Sequence, residues 1–164
     1  MTKSWQEVWQ RGVAPLLPTK GLELLAKALA DDDSRLLQGK TMIPPPLICT
    51  QDFSVDAACA IGFCGWQGQN LETVAEVEEF FASVCFEVDQ LLGEPAAIQW
   101  FINAYDEMPR AEMRAAFLPE VEAELARRKQ SESEGGYLAS DNHAGVGADD
   151  VLQMSAHARH CAVK

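Results

Sequence analysis

A regular apolar pattern between residues 71 and 92 constrains the fold of this chain more than any other feature. Six apolar residues recur there at alternating steps of three and four: Val74, Val77, Phe81, Val84, Val88 and Leu91. This spacing places the six side chains on one side of an α-helix. Gly93 follows directly and suits the left-handed residue that ends many helices. The pattern therefore predicts a long helix whose apolar side packs into a core.

Most other segments repeat their apolar residues with the same helical period, and no segment has a convincing strand pattern. Pro15 is expected to stop the first helix, Thr19 to cap the second, and Pro119 to split or kink the last. Ser54 is expected to cap a third, and Pro95 and Pro109 to open the last two. Helices are predicted over residues 2–13, 19–30, 55–65 and 71–92, and from residues 95 and 109 onward. The sequence thus predicts an all-α fold, a compact bundle of five or six helices.

Two segments do not fit the bundle. Pro44, Pro45 and Pro46 favour an extended polyproline conformation, which predicts a strap that crosses the helical body. The run SESEGG from Ser131 has the composition of a linker, and few large apolar residues follow it. We therefore predict one helical domain over residues 1–130. Residues 131–164 are predicted to be a linker and tail with at most one short helix.

Composition narrows the class of protein. The chain has 164 residues and a formal net charge of -12, which disfavours direct contact with nucleic acid or with an anionic membrane surface. No segment is apolar for long enough to span a membrane, and the first residues do not resemble a secretory signal. Five cysteines without a C-x-x-C pair predict neither a disulfide framework nor a zinc site. We expect a cytoplasmic protein with free thiols.

The charge is unevenly distributed, and this points to a candidate site. Residues 41–109 contain no lysine or arginine but eleven carboxylates. Three of them, Glu72, Glu76 and Glu79, fall at i, i+4 and i+7 beside the apolar side of the predicted long helix. Negative charge near the start of a helix is also favoured by the helix dipole, which is a purely structural explanation. The predicted partner-binding residues are Glu72, Glu76, Glu79, Glu87, Asp106 and Glu107. Asp106 and Glu107 are further expected to pair with Arg110 and Arg114.

Two cysteine-containing segments are candidate sites of chemistry. Cys64 lies between two glycines and beside Trp66, but a thiol at the end of a helix is not activated, and the nearest histidine, His143, follows the linker. We interpret Cys64 as a buried structural residue. The terminal group of His157, His160 and Cys161 offers too few ligands for a structural zinc site. No catalytic residue, cofactor or metal is predicted.

These observations predict a small, acidic, non-enzymatic protein that contacts a protein with a basic surface, as an adaptor, an inhibitor or a subunit of an assembly. A homo-oligomer that pairs through the apolar side of the long helix is also compatible with the sequence. One alternative is an enzyme or small-molecule binder with a pocket near Cys64 and Trp66, under the proline strap. Another is an acidic mimic that occupies a nucleic-acid-binding groove.

Overall fold

The computed structural model describes residues 4–46 and 53–137 and is mostly helical, as the apolar period predicts. The helices are α1 (Trp5–Val8), a π-helical turn (Trp9–Val13), α2 (Ala14–Leu16), α3 (Thr19–Asp31), α4 (Ala60–Gln69), α5 (Val74–Leu92), α6 (Ile98–Glu107) and α7 (Arg110–Tyr137). Three short strands accompany them: β1 (Leu36–Leu37), β2 (Met42–Ile43) and β3 (Ala57–Cys59).

The strands form one small sheet that the sequence did not predict. Their order is β1-β3-β2, with β3 parallel to β1 and antiparallel to β2. Strands of two or three residues are too short to show an alternating pattern. The strict all-α assignment is therefore wrong, although the helical class is confirmed. The predicted helix over residues 55–65 is likewise shifted, because its first residues form β3 and α4 continues to Gln69.

Helix α5 forms where the apolar pattern predicts a helix. Thr73 caps it, since its Oγ1 accepts a hydrogen bond from the Glu76 N–H while the Glu76 carboxylate accepts from the Thr73 N–H. Gly93 ends it at a φ of 64°. The four valines of the predicted apolar side are buried: Val74, Val77, Val84 and Val88. Phe81 is half-buried, and Leu91 is 58% exposed, whereas its neighbour Leu92 packs against the core in the last turn.

The centre of the core is a cluster of aromatic rings from the π-helical turn, α6 and α7. Trp9 stacks on Phe101 with ring centroids 5.5 Å apart and meets Phe117 edge to face at 4.6 Å. Tyr105 meets the same Phe117 ring at 5.6 Å. Such pairs add stability beyond the area that they bury. The cluster ties the π-helical turn, α6 and α7 into one core.

Helices α3 and α4 approach each other through glycines. A Cβ on Gly21 would lie 2.5 Å from the carbonyl oxygen of Cys64, and a Cβ on Gly68 would lie 2.5 Å from the backbone nitrogen of Gly21. Only glycine permits backbones to come so close. Cys64 is consequently enclosed on one side by the backbone of α3.

Several predicted helix boundaries differ from those observed. Pro15 does not stop the first helix, because the helical run from Trp5 continues through Pro15 to Leu16 and ends at the extended Leu17. Pro18, not Thr19, occupies the N-cap of α3. Ser54 caps no helix and instead bridges to Thr73. Pro95 precedes α6, which begins only at Ile98.

Pro119 lies inside α7 and does not split it. Pro119 and Ala115, four residues before it, are both exposed, so water can bond the carbonyl that loses its helical donor. Helix α7 also continues through the SESEGG run, so that run is helical and not an extended linker as far as Tyr137. The domain boundary near residue 130 stays a prediction.

Some predicted features lie outside the described residues. These are His143, His157, His160, Cys161 and the short tail helix. The proline strap also stays a prediction, because residues 47–52, which follow Pro44–46, are not described. Among the helices that the structure describes, none is long and apolar enough to cross a membrane.

A candidate acidic interaction surface

Helix α5 and the residue before its N-cap carry five exposed glutamates, which we call the acidic face: Glu72, Glu76, Glu78, Glu79 and Glu87. Glu79 follows the buried Val77 by two residues and therefore projects about 160° away from it around the helix. Glu76 precedes Glu79 by three residues, so these two lie on one side of α5. Glu72 stands outside the helix, where its N–H donates to the Glu76 carboxylate. Glu87 lies about 12 Å further along the helix axis than Glu79.

Glu76 has a structural role within this face. Its carboxylate accepts hydrogen bonds of 3.0 Å from the backbone N–H groups of Glu72 and Thr73, and one of 2.9 Å from the Thr73 hydroxyl. These bonds favour the charged form, and the backbone bond from Thr73 contributes most to lowering the pKa of Glu76 below its ordinary value. Glu76 is thus a helix cap whose charge is partly satisfied.

The other four carboxylates form no ion pair among residues 4–46 and 53–137. Seven basic side chains in this part of the chain do form ion pairs, but their acidic partners lie elsewhere: Glu7, Asp31, Asp32, Asp33 and Glu124. Since residues 41–109 contain no base, no cation sits one turn away on the same helix. Within residues 4–46 and 53–137, no basic side chain neutralises these carboxylates.

Two arginines of α7 bind backbone carbonyls at the ends of other helices. The Arg114 guanidinium donates to the carbonyls of Leu29 and Ala30 at the end of α3. Arg128 donates in the same way to the carbonyls of Ala14 and Leu17 around the end of α2. The last carbonyls of a helix have no intrahelical donor and carry partial negative charge. These guanidinium groups satisfy them, and are not available to the acidic face.

An exposed aromatic side chain stands beside Glu87, at the C-terminal end of the acidic face. Phe86 is 67% exposed and follows Glu79 by seven residues, on the side of α5 opposite the core. Between the end of α4 and α5 lies a shallow groove of about 260 Å³. Leu71 and Phe80 form its apolar floor, and Glu76 and Glu79 stand at its edge. The surface therefore combines negative charge with apolar contacts.

Asp106 and Glu107 belong to a different region. Asp106 accepts a hydrogen bond of 2.8 Å from the Gly39 N–H, and it lines a cavity together with Phe81, which projects toward the core side of α5. Glu107 is exposed at the end of α6. The predicted pairing of these acids with Arg110 and Arg114 is wrong, because both arginines bind Asp32. Asp32 follows α3 directly and lies near the start of α7, within reach of both arginines.

The Cys64 thiol and the Trp66 ring both pack within the fold. Cys64 is completely buried, and burial raises the pKa of its thiol far above the ordinary value. Trp66 packs edge to face on Phe63, and the Arg35 guanidinium lies 5.9 Å from the Trp66 ring centroid. Within the described part of the chain there is also no group of three or more side chains that could hold a metal ion.

Sequence reasoning missed Phe86 and the cavity near Asp106. Phe86 could have been found, since it stands two residues after the buried Val84 and so falls off the apolar side. The cavity could not have been found from the sequence, because the residues that line it come from four segments that are far apart in the chain. Comparison with known protein families, with curated proteins and with solved structures gives no match for this chain. The functional argument therefore rests on this geometry alone.

Proposed function

We propose that this protein is a non-enzymatic interaction protein that binds a partner with a basic surface through the acidic face of α5. The observation that carries the proposal is a row of exposed glutamates that pair with no cation in the part of the chain that the structure describes. Glu78, Glu79 and Glu87 have no hydrogen-bond or ion-pair role within the described residues. A fold gains nothing from carboxylates placed side by side on one helix, because like charges one turn apart repel each other.

Phe86 supplies the apolar part of the proposed interface. Exposed aromatic residues inside a polar rim are typical of the few contacts that dominate binding free energy. The surrounding carboxylates would accelerate association with a basic partner and select against acidic ones. A partner protein with a pocket for Phe86 is favoured over a nucleic-acid-binding groove. An acidic mimic of phosphates would need carboxylates alone, and an exposed aromatic ring beside them would not contribute to its binding.

The role that fits best is that of an adaptor, inhibitor or assembly subunit that works in the cytoplasm without a cofactor. Direct binding to nucleic acid is disfavoured by the net charge of -12. A homo-oligomer through the apolar side of α5 is disfavoured, because that side is already buried in the core. An enzyme site at Cys64 is disfavoured by the burial and the raised pKa of its thiol.

The test compares two triple variants of the full chain. The first replaces Glu78, Glu79 and Glu87 by Gln and leaves the Glu76 cap in place. The second replaces three exposed glutamates of α3 and α7, Glu23, Glu112 and Glu122, and changes the net charge by the same amount. Partners captured from the native lysate by the wild-type protein are identified, and their association rates are measured at low and at physiological salt.

The proposal predicts that the first variant loses the partner while the second retains it. Phe86→Ala should increase the dissociation rate with little change in the association rate. The wild-type association rate should fall steeply with salt, since charges on a surface are screened within about 10 Å at 0.1 M. Equal binding by both triple variants, or an association rate indifferent to salt, would refute the acidic face as the interface.

A further inference from the structure

A cavity of about 110 Å³ lies on the other side of α5 from the acidic face. The loop between β1 and β2, the β3–α4 junction, α5 and α6 enclose it. Its walls are mostly apolar, and the residues that line it include Ile61, Phe81, Phe101, Ile102 and Cys59.

Hydrogen bonds fix the segments that line the cavity. The Gln38 side chain donates to the carbonyls of Tyr105 and Met108, and the Tyr105 hydroxyl donates to the Leu37 carbonyl at 3.1 Å. The Cys59 N–H also donates to the carbonyl of the neighbouring Thr41. These bonds attach the β1–β2 loop to α6 and β3, so the cavity has a defined shape.

The mouth of the cavity is polar. Asp106 lies there with Oδ1 bonded to the Gly39 N–H, and its second oxygen has no hydrogen-bond partner among the described residues. The exposed Lys40 borders the same opening. The arrangement is an apolar interior with a hydrogen-bond acceptor at the entrance, which is the general composition of small-molecule sites.

We propose that this cavity binds a small aromatic molecule of about the size of phenol, with its ring among Phe81, Phe101 and Ile102 and a hydrogen-bond donor directed to Asp106. Apolar protein cavities of about 150 Å³ take up benzene, so a ring that keeps its polar end in the mouth suits this slightly smaller space. Sulfur next to a ring is a favourable contact, which Cys59 provides. Burial raises the pKa of Cys59 to about 11, so the thiol is neutral at pH 7 and forms part of the wall instead of attacking the ligand.

Phenol itself is the probe, and Cys59 is the reporter. Phenol is titrated into the full-length protein while thermal unfolding is followed, and the rate of alkylation of each cysteine is measured by mass spectrometry. At a phenol concentration of about ten times Kd, alkylation of Cys59 should slow about tenfold, because only the unoccupied fraction reacts. Cys85 is also half-buried but does not line the cavity, so its rate should not change.

Two variants that fill the cavity complete the test. Ala60→Val and Ile102→Phe should each abolish the stabilisation by phenol and the protection of Cys59. Leu118→Phe, a half-buried position on α7 away from the cavity, should retain both. Benzene should bind more weakly than phenol, because it cannot donate to Asp106. A melting temperature that does not rise saturably with phenol, or protection that survives in both filled variants, would overturn the proposal.

Discussion

Replacement of Gly21 by alanine tests whether the close approach of α3 and α4 is essential to the fold. The new Cβ would lie 2.5 Å from the Cys64 oxygen and 2.9 Å from the Cys64 Cα, both of them backbone atoms. No rotamer change can relieve this overlap, so the helices must separate. Overpacking costs about 1–3 kcal/mol, and the upper end applies where backbone is the obstacle. Alanine returns about 1 kcal/mol through its better helix propensity.

The net expectation is a loss of about 2 kcal/mol in the free energy of unfolding, or about 4–8 °C in Tm for a domain of this size. Urea titration followed by circular dichroism measures it. Gly62→Ala in α4 is the matched control, since its Cβ would lie 3.2 Å from the Ala58 Cβ and 3.3 Å from the Val77 Cγ1, and the nearest backbone atom, the Thr41 oxygen, would be 3.7 Å away, at ordinary contact distance. The control should stay within about 1 kcal/mol of the wild type.

A double variant strengthens the argument. Gly68→Ala forces the same two helices apart, because its Cβ would overlap the backbone of Gly21. Once one alanine has separated the helices, the second costs less, so the double variant should lose less than the sum of the single losses. Strict additivity, or a Gly21→Ala protein as stable as the wild type, would show that these helices do not pack through their glycines.

Three further predictions concern the core, a cap and a guanidinium cluster. Val84→Asp should abolish cooperative unfolding, because it places an unpaired charge where the wild-type side chain is 4% exposed. Glu79→Lys should change Tm by only a few degrees. Thermal melts compare the two variants, and equal losses would mean that the buried side of α5 is misassigned. Arg128→Met should cost about 2 kcal/mol, since it leaves the carbonyls of Ala14 and Leu17 without their side-chain donor and removes one of the two arginines that bind the buried Glu124, Arg127 being the other. Arg11→Met in an exposed pair should cost about 0.5 kcal/mol. Similar values from urea titration of the two variants would refute this. Glu76→Gln should remove a stability contribution that is complete above the ordinary Glu pKa of 4.5 and is lost as the pH falls through the lowered folded-state pKa. Denaturation at about pH 7 and pH 3 should therefore show a difference in the free energy of unfolding between wild type and variant that becomes smaller in acid. A difference independent of pH would contradict the role of Glu76 as a cap.

The sequence was sufficient for α5 because local rules agree there. Its apolar period, the Thr73 to Glu76 spacing and the terminal Gly93 all specify the same helix. Residues 55–65 show the opposite case. Their apolar side chains suit a buried strand as well as a buried helix, and only pairing with β1 and β2 decides that Ala57–Cys59 is extended.

The candidate surface was predictable in part for a related reason. The exposure of Glu76 and Glu79 follows from their position relative to the valines of α5, so the period alone locates them, whereas Glu72 lies before the N-cap of that helix. The position of Asp106 depends on how α6 meets the β1–β2 loop, which no local pattern reports. Likewise, the partner of Arg110 proved to be Asp32, 78 residues away in the chain, in preference to its sequence neighbours.

The arginines of α7 also bear on how the chain folds during synthesis. Arg114 and Arg128 satisfy carbonyls that precede them by 84 to 114 residues. Until these arginines have emerged from the ribosome, the ends of α2 and α3 lack their donors, and Trp9 lacks the Phe101 and Phe117 rings on which it packs. The first half of the chain cannot complete a stable unit by itself. Folding is therefore expected to wait for α7 and to proceed in one late step, with nascent chains dependent on chaperones until then.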